Sequence, residues 1–458
     1  MALRRVLIAN RGEIAARIIR TCRKLNIETV LAASAADRDS LPARLADRTV
    51  CIGPARPGES YLKADTIVHA ALATQSDAIH PGYGFLSERP ALARLCESEG
   101  VVFIGPTVAQ LEAVGDKLQA RAEAQAAAVP VVPGSAVASV EEAMAAARLI
   151  GVPLLVKAVG GGGGRGMKRV ERIEDLAATL ELAAAEAGAA FGDARVYLER
   201  FIASGRHVEV QILGDGHGRV IHLGERDCSV QRRYQKLIEE TPAPGLSEDL
   251  RGALHAAAVR FAQRLAYRGA GTVEFLVDRN RDAFYFLEMN ARIQVEHPVT
   301  EAVTGVDLIA EQIAIAAGTG LRLAQSDVRR QGCAIECRVN AEDPADDFRP
   351  SPGRVSEVTW PEQEDIRVDT HIEAGSHVPP FYDSLLAKII AYAPDRASAV
   401  ARLQRAIAST RVVGVHTNLP FHETALADPE FRAGGFDTGF VTRLLERHPA
   451  TTERARDD

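Results

Sequence analysis

The chain has 458 residues, which is too long for one hydrophobic core, so the sequence predicts two to four domains. The formal net charge of -7 argues against a nucleic-acid-binding surface, and no run of 18 apolar residues is present to cross a membrane. The six cysteines form no Cys-x-x-Cys pair and no zinc framework, which favours a reducing, cytoplasmic location.

The first hundred residues alternate short apolar runs with helical stretches. Residues 6–9, 29–32, 78–80 and 101–104 are predicted strands, and 13–25 is a predicted helix. This alternation is typical of a doubly wound parallel sheet. The first turn lacks Gly-x-Gly-x-x-Gly, so dinucleotide binding is not supported. A glycine-rich loop at residues 80–88 fits either a tight strand-to-helix connection or a direct ligand role.

A domain boundary is predicted near Pro130. Residues 108–128 are strongly helical and carry Lys117, whereas 129–134 contain two prolines. A predicted strand at 152–157 then ends on Lys157, and five consecutive glycines follow from Gly160. Between two strand-like segments, such a run predicts a hairpin lid whose N–H groups surround phosphate oxygens, with a flexible linker as the alternative.

A larger sheet is predicted from residue 207 onwards. The segment 225–236 carries four cationic side chains, which fit either a solvated face or a pocket for anions. Residues 270–277 form a predicted strand with Glu274 among apolar neighbours, where an isolated carboxylate would be costly. We expect Glu274 to face Glu288 across a hairpin with its turn at 278–282, and a metal or cation to bind there.

The most informative stretch is residues 288–301, which follow a predicted strand at 283–287. Alternate positions carry polar groups of three kinds, namely Glu288, Asn290, Arg292, Gln294 and Glu296. In an extended segment these side chains share one face. Glu and Asn oxygens suit Mg²⁺, and a guanidinium suits a planar oxyanion, so this face offers a metal end and an anion end.

Several motifs together resemble the biotin carboxylase component of the biotin-dependent carboxylases, within the ATP-grasp superfamily. The matching segments run in the family's order: 8–15, 80–88, Lys157 with 160–167, 231–233, 288–301 and 382–384. The resemblance implies an α/β ATP-grasp architecture with an N-terminal doubly wound parallel-sheet domain, a small mobile α/β lid and a large C-terminal mixed α+β domain. The implied boundaries are 1–112, a linker helix at 113–130, the lid at 131–202, the catalytic domain at 203–447 (its ATP-grasp part ending near 317) and a polar tail at 448–458.

The resemblance also implies a reaction. ATP activates bicarbonate through carboxyphosphate, and the carboxyl group passes to N1′ of biotin on a carrier protein, as the first half-reaction of an acyl-CoA carboxylase of the acetyl- or propionyl-CoA type. Mg²⁺ or Mn²⁺ is the expected metal. A homodimer is expected, without nucleic acid or membrane partners. No Met-Lys-Met segment is present, so the carrier and carboxyltransferase are expected on other chains or on another part of a longer one.

Site roles carry over by position in this sequence. The residues expected over the ATP phosphates are Lys117, Lys157, Gly164, Arg165 and Gly166. Those expected around the nucleotide are Glu199, Arg200, Ile202, His207, Gln231, Tyr234 and Leu276, with Glu274 and Glu288. The expected metal ligands are Glu274, Glu288 and Asn290. The bicarbonate and biotin pocket is expected to contain Lys236, Arg292, Gln294, Val295, Glu296 and Arg338. The resemblance implies that Lys236, Arg292, Gln294 and Val295 form the bicarbonate pocket and that Glu296 is the general base. It also implies that Arg338 stabilises the negative charge that develops on the ureido group of biotin.

The sequence departs from the family pattern at several positions, of which Tyr234 matters most because a histidine is usual there. Two other functions remain open at this point. One is a different ATP-grasp carboxylate–amine ligase, against which the 292–296 block and Arg338 argue. The other is a catalytically silent ATP-binding scaffold, against which the retained acidic residues argue.

Overall fold

A computed structural model of the chain describes residues 3–160 and 166–448. The expected lid residues Gly164 and Arg165 lie outside the described residues, as does most of the predicted polar tail.

The N-terminal part contains a five-stranded sheet in the order β3-β2-β1-β4-β5, and all its strand pairs are parallel. Its strands are β1 (Arg5–Ile8), β2 (Glu28–Ala33), β3 (Arg48–Cys51), β4 (Ala78–His80) and β5 (Val102–Phe103). Its helices are α1 (Gly12–Lys24), α2 (Leu41–Leu45), α3 (Ala64–Ala73) and α4 (Pro90–Ser98). The buried side of α1, with Ile14, Ile18 and Cys22, packs on β1 and β2. The predicted doubly wound parallel sheet is confirmed.

The helix predicted over 108–128 is two helices, α5 (Val108–Gly115) and α6 (Lys117–Ala126). Asp116 separates them because its backbone is extended and its carboxylate accepts from the N–H groups of Leu118 and Gln119. This N-cap stabilises the start of a new helix and places Lys117 at its first position.

A small four-stranded antiparallel sheet follows, in the order β6-β9-β7-β8. Its elements are β6 (Gly134–Ala136), α7 (Val140–Ile150), β7 (Leu154–Ala158), β8 (Met167–Val170), α8 (Leu176–Phe191) and β9 (Val196–Arg200). Alanines of α7 and leucines of α8 pack with Leu154 and Val156 of β7 in a separate apolar core. The predicted strands on both sides of the glycine run are therefore paired as a hairpin.

The largest sheet has eight antiparallel strands in the order β14-β13-β10-β11-β12-β15-β22-β20. Its strands are β10 (Gly205–Asp215), β11 (Val220–Arg232), β12 (Gln235–Thr241), β13 (Arg268–Asp278), β14 (Ala283–Asn290), β15 (Cys333–Asn340), β20 (Ile366–Thr370) and β22 (Leu385–Ala393). The helices that accompany it are α9 (Glu248–Arg264), α10 (His297–Thr304), α11 (Leu308–Ala316) and α12 (Arg396–Ser409).

The remaining elements are short. They are the strands β16 (Glu342–Asp343), β17 (Arg349–Pro350), β18 (Gly353–Arg354), β19 (Glu357–Thr359), β21 (His377–Val378) and β23 (Arg411–Val413), and the helices α13 (Leu419–Ala427), α14 (Pro429–Arg432) and α15 (Phe440–Arg447). Within the described ranges, no helix is both long and apolar enough to cross a membrane.

The central stretch is only partly extended, so its predicted alternation is wrong beyond Asn290. Strand β14 ends at Asn290, residues 291–296 are irregular, and α10 begins at His297 with Pro298 in its first turn. Proline suits the first turn of a helix because the N–H that it lacks would have no helical partner there. The sheet order nevertheless places β14, β13 and β10 next to one another and β12 next to β15, with only β11 between the two groups.

Candidate active site

Two acidic residues face each other at one edge of the large sheet. Glu274 of β13 is the direct cross-strand partner of Glu288 of β14, as the hairpin pattern predicts. The amide of Asn290 donates to Oε1 of Glu274 at 2.7 Å, and Nζ of Lys117 lies 3.7 Å from Oε2 of Glu288. The three predicted metal ligands are thus adjacent. They form a set of hard oxygen donors of the kind that suits Mg²⁺.

The two facing carboxylates have opposite pKa shifts. Burial, and then the charge of Glu274, raise the pKa of Glu288. Burial also opposes ionisation of Glu274, but Lys236 and His207 outweigh it and lower that pKa. Like charges that face each other across a strand pair are destabilising, so a divalent cation between them would relieve the repulsion. The residues present therefore fit a magnesium ion.

The ammonium of Lys236, at the start of β12, joins three buried carboxylates. Its Nζ lies 2.6 Å from Glu209, 2.6 Å from Glu296 and 3.2 Å from Glu274. Burial would lower the pKa of Lys236, but the surrounding acidic groups raise it well above its ordinary value. Lys236 is therefore a fixed positive charge at the centre of the site. An anion that enters the site would compete with the three carboxylates for contact with this ammonium.

Glu296 is fully buried between two cations. Its Oε1 accepts from Lys236, and its Oε2 accepts from Nη2 of Arg338 at 2.8 Å. Although burial acts in the other direction, Lys236 and Arg338 hold the pKa of Glu296 well below its usual range. Glu296 is therefore ionised at neutral pH, which is the state that a base requires.

Arg292 is anchored on the other side of the pocket by Glu88, from the loop at residues 80–88. Its Nε donates to Oε2 of Glu88 at 2.9 Å, while the N–H of Ala291 donates to Oε1 at 2.9 Å. The remaining guanidinium nitrogens reach the side-chain oxygens of Gln294 at 2.9 Å and Asn290 at 3.0 Å. Glu88 thus fixes the guanidinium between the metal end and the anion end.

The carbonyl oxygen of Val295 accepts a hydrogen bond from a buried lysine. Nζ of Lys388, a fully buried residue of β22, donates to the carbonyl oxygen of Val295 at 2.8 Å. The same ammonium lies 3.1 Å from Glu13 of α1. Lys388 therefore connects the N-terminal domain with the residue that precedes Glu296.

The predicted phosphate lysines lie on different elements. Lys157 of β7 forms a buried ion pair with Glu199 of β9, and Glu199 also accepts from Arg121 of α6 at 2.9 Å. Lys117 instead faces Glu288. In the described part of the chain, the structure therefore brings Lys117, but not Lys157, against the metal-side carboxylates.

The other predicted nucleotide residues line the strands beside this edge. His207 is the cross-strand partner of Leu276, and its Nε2 lies 3.0 Å from Glu274. Burial lowers the pKa of His207, but Glu274 outweighs that effect and raises it. Gln231 is buried opposite Lys236. Arg200, Ile202 and Gly166 are partly exposed, and they follow or belong to the small sheet.

Tyr234 lies at the tip of the β11–β12 hairpin and is 55% exposed. Both tip residues have left-handed backbone angles, with φ of 48° at Arg233 and 66° at Tyr234. Arg232 and Arg233 hold this tip by ion pairs to Asp347. Of the four cations in residues 225–236, only Lys236 lies among the predicted anion-binding groups. Arg226 contacts Glu209, which also binds Lys236, whereas Arg232 and Arg233 pair with Asp347. Each of the two alternatives, a pocket and a solvated face, therefore describes part of this segment.

Several residues of the site were not predicted from the sequence: Glu88, Glu209, Arg226, Glu239 and Lys388. Arg226 is fully buried and donates to Glu209 at 2.6 Å, and Arg338 donates through Nε to Glu239 at 2.6 Å. Glu209 alternates with His207 along β10, so strand periodicity could have placed both on one face. Arg226 is the direct partner of Glu209 in the β10–β11 hairpin. The contacts of Glu88, Glu239 and Lys388 join segments far apart in the sequence, and a local pattern carries no signal for them.

The arrangement offers a metal end, a central cation, an ionised base and a second guanidinium in one connected pocket. Nη1 of Arg338 has no hydrogen-bond partner among the described residues, so it is available to a ligand. Such a site can hold a phosphate-bound metal beside a small planar oxyanion. A carboxylate at its centre can accept a proton from that anion.

Comparisons with known proteins match the whole described length. Three family models match one after another along the chain. They are "Biotin carboxylase, N-terminal domain" over residues 2–111, "Carbamoyl-phosphate synthase L chain, ATP binding domain" over 116–324, and "Biotin carboxylase C-terminal domain" over 336–443. A biotin carboxylase of Nostoc sp. is 50% identical over 446 residues, which cover 97% of this chain and 100% of the relative.

Two solved structures have similar folds. The biotin carboxylase domain dimer of Hydrogenobacter thermophilus 2-oxoglutarate carboxylase, in complex with MgADP, ADP and bicarbonate, has a TM-score of 0.94 at 44% identity and covers 100% of both chains. A biotin carboxylase–β-γ-ATP complex from Campylobacter jejuni has a TM-score of 0.94 at 44% identity, covering 96% of this chain and 99% of that one.

Proposed function

The chain belongs to the biotin carboxylase family, and from that premise we propose that its site carboxylates N1′ of biotin with ATP and bicarbonate. One observation carries the proposal. Glu296 is held simultaneously by Lys236 and Arg338 through its two oxygens. A base between a bicarbonate-binding cation and a biotin-binding cation serves both halves of that reaction, whereas a carboxylate–amine ligase has no use for this second guanidinium.

In the first step, bicarbonate binds between Lys236 and Arg292, beside Gln294 and the main chain of Val295. Bicarbonate is a poor nucleophile until it is oriented and loses its proton. Glu296 takes that proton while the bicarbonate oxygen attacks the γ-phosphate of ATP. Carboxyphosphate and ADP are the products. The low pKa of Glu296 keeps it unprotonated before the step.

The phosphate end is served by cations from several elements. Lys117 and Lys157 neutralise charge on the phosphates, and the main-chain N–H of Gly166 adds a donor. Mg²⁺, when held by Glu274, Glu288 and Asn290, supplies further neutralisation of the charge that spreads over the transferred phosphoryl group. His207, Gln231, Tyr234 and Leu276 line the nucleotide side, with Glu199 to Ile202 at the adenine.

In the second step, carboxyphosphate gives its carboxyl group to N1′ of biotin, and the phosphate that leaves takes the N1′ proton. The negative charge that develops on the ureido oxygen needs an adjacent donor, because biotin is a weak acid. Arg338 supplies it through Nη1. Its other nitrogens already bind Glu239 and Glu296. The guanidinium is therefore oriented before biotin arrives.

We propose that biotin arrives on a carrier protein or domain and that a carboxyltransferase takes the carboxyl group, in keeping with the similarity to biotin carboxylases. A homodimer is also proposed, and the dimeric Hydrogenobacter relative supports it. The six cysteines are all free, which supports a reducing cytoplasm. An acyl-CoA as final acceptor stays a prediction, because that choice belongs to the carboxyltransferase.

The direct test uses the purified chain with Mg-ATP, radiolabelled bicarbonate and free biotin. Phosphate release should rise when biotin is added, and label should appear in carboxybiotin. Glu296→Gln should abolish both signals while leaving Mg-ATP binding intact. Mg-ATP binding without any response to biotin would favour the scaffold, and hydrolysis stimulated by an amine and a carboxylate would favour the other ligase.

A further inference from the structure

Two acidic residues lie directly opposite each other behind Arg338. Glu239 of β12 and Glu336 of β15 are cross-strand partners in the antiparallel register, and both are 0% exposed. Directly opposite residues point to the same side of a sheet, with their Cβ atoms about 5 Å apart. The two carboxyl groups are therefore neighbours, and both are shielded from bulk solvent.

Their hydrogen bonds are unequal. Oε1 of Glu239 accepts from Arg338, whereas Oε2 of Glu239 and both oxygens of Glu336 have no partner among the described residues. The nearest cations are already engaged. Lys388 contacts Val295, Glu13 and Asp369, and Arg338 contacts Glu239 and Glu296. An ion pair to Glu336 is therefore absent from the described contacts.

Two ionised carboxylates in this position would be costly, because each is desolvated and they repel each other. Burial raises the pKa of Glu336 well above its ordinary value, and burial opposed by Arg338 raises that of Glu239 to about 7. Glu239 is the member that accepts the guanidinium, so it is the one that remains negative. The proton belongs on Glu336.

We propose that Glu336 is a neutral carboxylic acid that donates a hydrogen bond to Oε2 of Glu239, and that this pair positions Arg338 for biotin. This inference rests on the proposed function. It makes Glu239 and Glu336 positioning residues that act through Arg338. One oxygen of Glu239 would hold the guanidinium and the other would be held by Glu336, which leaves Nη1 of Arg338 directed to the substrate.

Substitutions that separate a neutral donor from a merely apolar side chain test the pair. Glu336→Gln keeps a neutral donor, so biotin carboxylation should stay within about threefold of wild type. Glu336→Leu and Glu239→Gln should each lower it about tenfold to a hundredfold, the range expected when a reacting group is misplaced by a fraction of an ångström. Biotin-independent, bicarbonate-dependent ATP hydrolysis should stay within about twofold in the two Glu336 variants, since Arg338 binds biotin after that step and Lys236 still holds Glu296.

Glu240 is a matched control. It is the next residue of β12, is also buried, and accepts from Arg396 at 2.6 and 2.9 Å, away from Arg338. Glu240→Gln should lower stability without changing the biotin kinetics of the folded enzyme. Equal losses in Glu336→Gln and Glu336→Leu would overturn the neutral donor. Parallel losses of ATP hydrolysis and carboxylation would overturn the role through Arg338.

Infrared difference spectra report the proton without reference to activity. Wild type minus Glu336→Gln should show the C=O stretch of a protonated carboxylic acid at pH 7, and a carboxylate band in its place would overturn the proposal. If biotin changes neither phosphate release nor carboxybiotin formation by the wild-type protein, the proposed function is refuted, whatever the spectrum shows. Failure of the pair and failure of the function therefore give different results.

Discussion

Nη2 of Arg338 lies 2.8 Å from Oε2 of Glu296, so the residue assigned to biotin contacts the residue assigned to bicarbonate. On the proposed assignment, the two half-steps would share this ion pair rather than use two separate sites. The base stays ionised because Arg338 and Lys236 bind it from opposite sides, despite its burial. When Arg338 is removed, Lys236 still binds Oε1 of Glu296 and keeps the base ionised, so the loss of Arg338 should affect mainly the second step.

Arg338→Ala should separate the two steps. Carboxylation of biotin should fall about a hundredfold to a thousandfold, as is typical when a donor to a developing oxyanion is lost. Bicarbonate-dependent ATP hydrolysis without biotin should change much less, because Lys236 and Arg292 remain. Both rates can be measured on one preparation, with Arg349→Ala on the exposed strand β17 as a control. Equal loss of both rates would contradict the assignment.

Glu288→Gln tests the metal end of the site by two measurements, namely the stability of the ligand-free protein and the response to Mg²⁺. The variant removes one of two facing carboxylates, so the thermal stability of the ligand-free protein should be unchanged or higher. The increase in Tm on adding MgADP should be much smaller than in wild type. The Mg²⁺ concentration needed for activity should rise about tenfold or more, because even the loss of a residue that only hydrogen-bonds to a metal ligand lowers metal affinity about 10–100-fold. Glu248→Gln, at an exposed position of α9, is the control. An unchanged metal requirement would be evidence against Glu288 as a ligand.

Tyr234→His tests the departure at the hairpin tip. Because ion pairs to Asp347 fix the neighbouring arginines, residue 234 can change without moving the tip. An imidazole there should lower the KM for ATP severalfold and leave the KM for bicarbonate unchanged. Tyr234→Phe separates the hydroxyl from the ring. If neither variant alters the KM for ATP, then Tyr234 makes no contact with the nucleotide.

The sequence predicted the sheets and the facing of Glu274 with Glu288, because both depend on local periodicity and one short hairpin. It was wrong about an extended segment beyond Asn290, because β14 ends there and residues 291–296 are irregular before the helix that begins at His297. Glu88, Glu239 and Lys388 could not be assigned to partners, because those partners lie far away in the chain and are chosen by tertiary packing. The roles of the site residues stay predictions until they are measured.

His422 gives a prediction for pH. Its Nε2 is 2.7 Å from the carbonyl oxygen of Arg338, its Nδ1 is buried without a partner among the described residues, and burial lowers its pKa from 6.5 to about 4. Between pH 6.5 and pH 4, His422 is therefore protonated in the unfolded chain and neutral in the folded protein. This histidine lowers stability progressively as the pH falls from 6.5 towards 4.

His422→Gln keeps a donor for the carbonyl and cannot titrate. Wild type should be the more stable protein at pH 7, and its advantage over the variant should shrink by about 1 kcal/mol between pH 6 and pH 5, since one proton corresponds to about 1.4 kcal/mol per pH unit. Urea unfolding at several pH values gives the difference directly. A difference that does not vary with pH would show that His422 is not held neutral.

The most direct test of the central claim follows an oxygen atom. Bicarbonate labelled with oxygen-18 is mixed with the enzyme, Mg-ATP and biotin, and the phosphate is analysed before bicarbonate exchanges its oxygens with water. If Glu296 and Lys236 activate bicarbonate for attack on the γ-phosphate, each phosphate released should carry one labelled oxygen. Phosphate without label would mean that water, not bicarbonate, is the nucleophile, and would contradict the account.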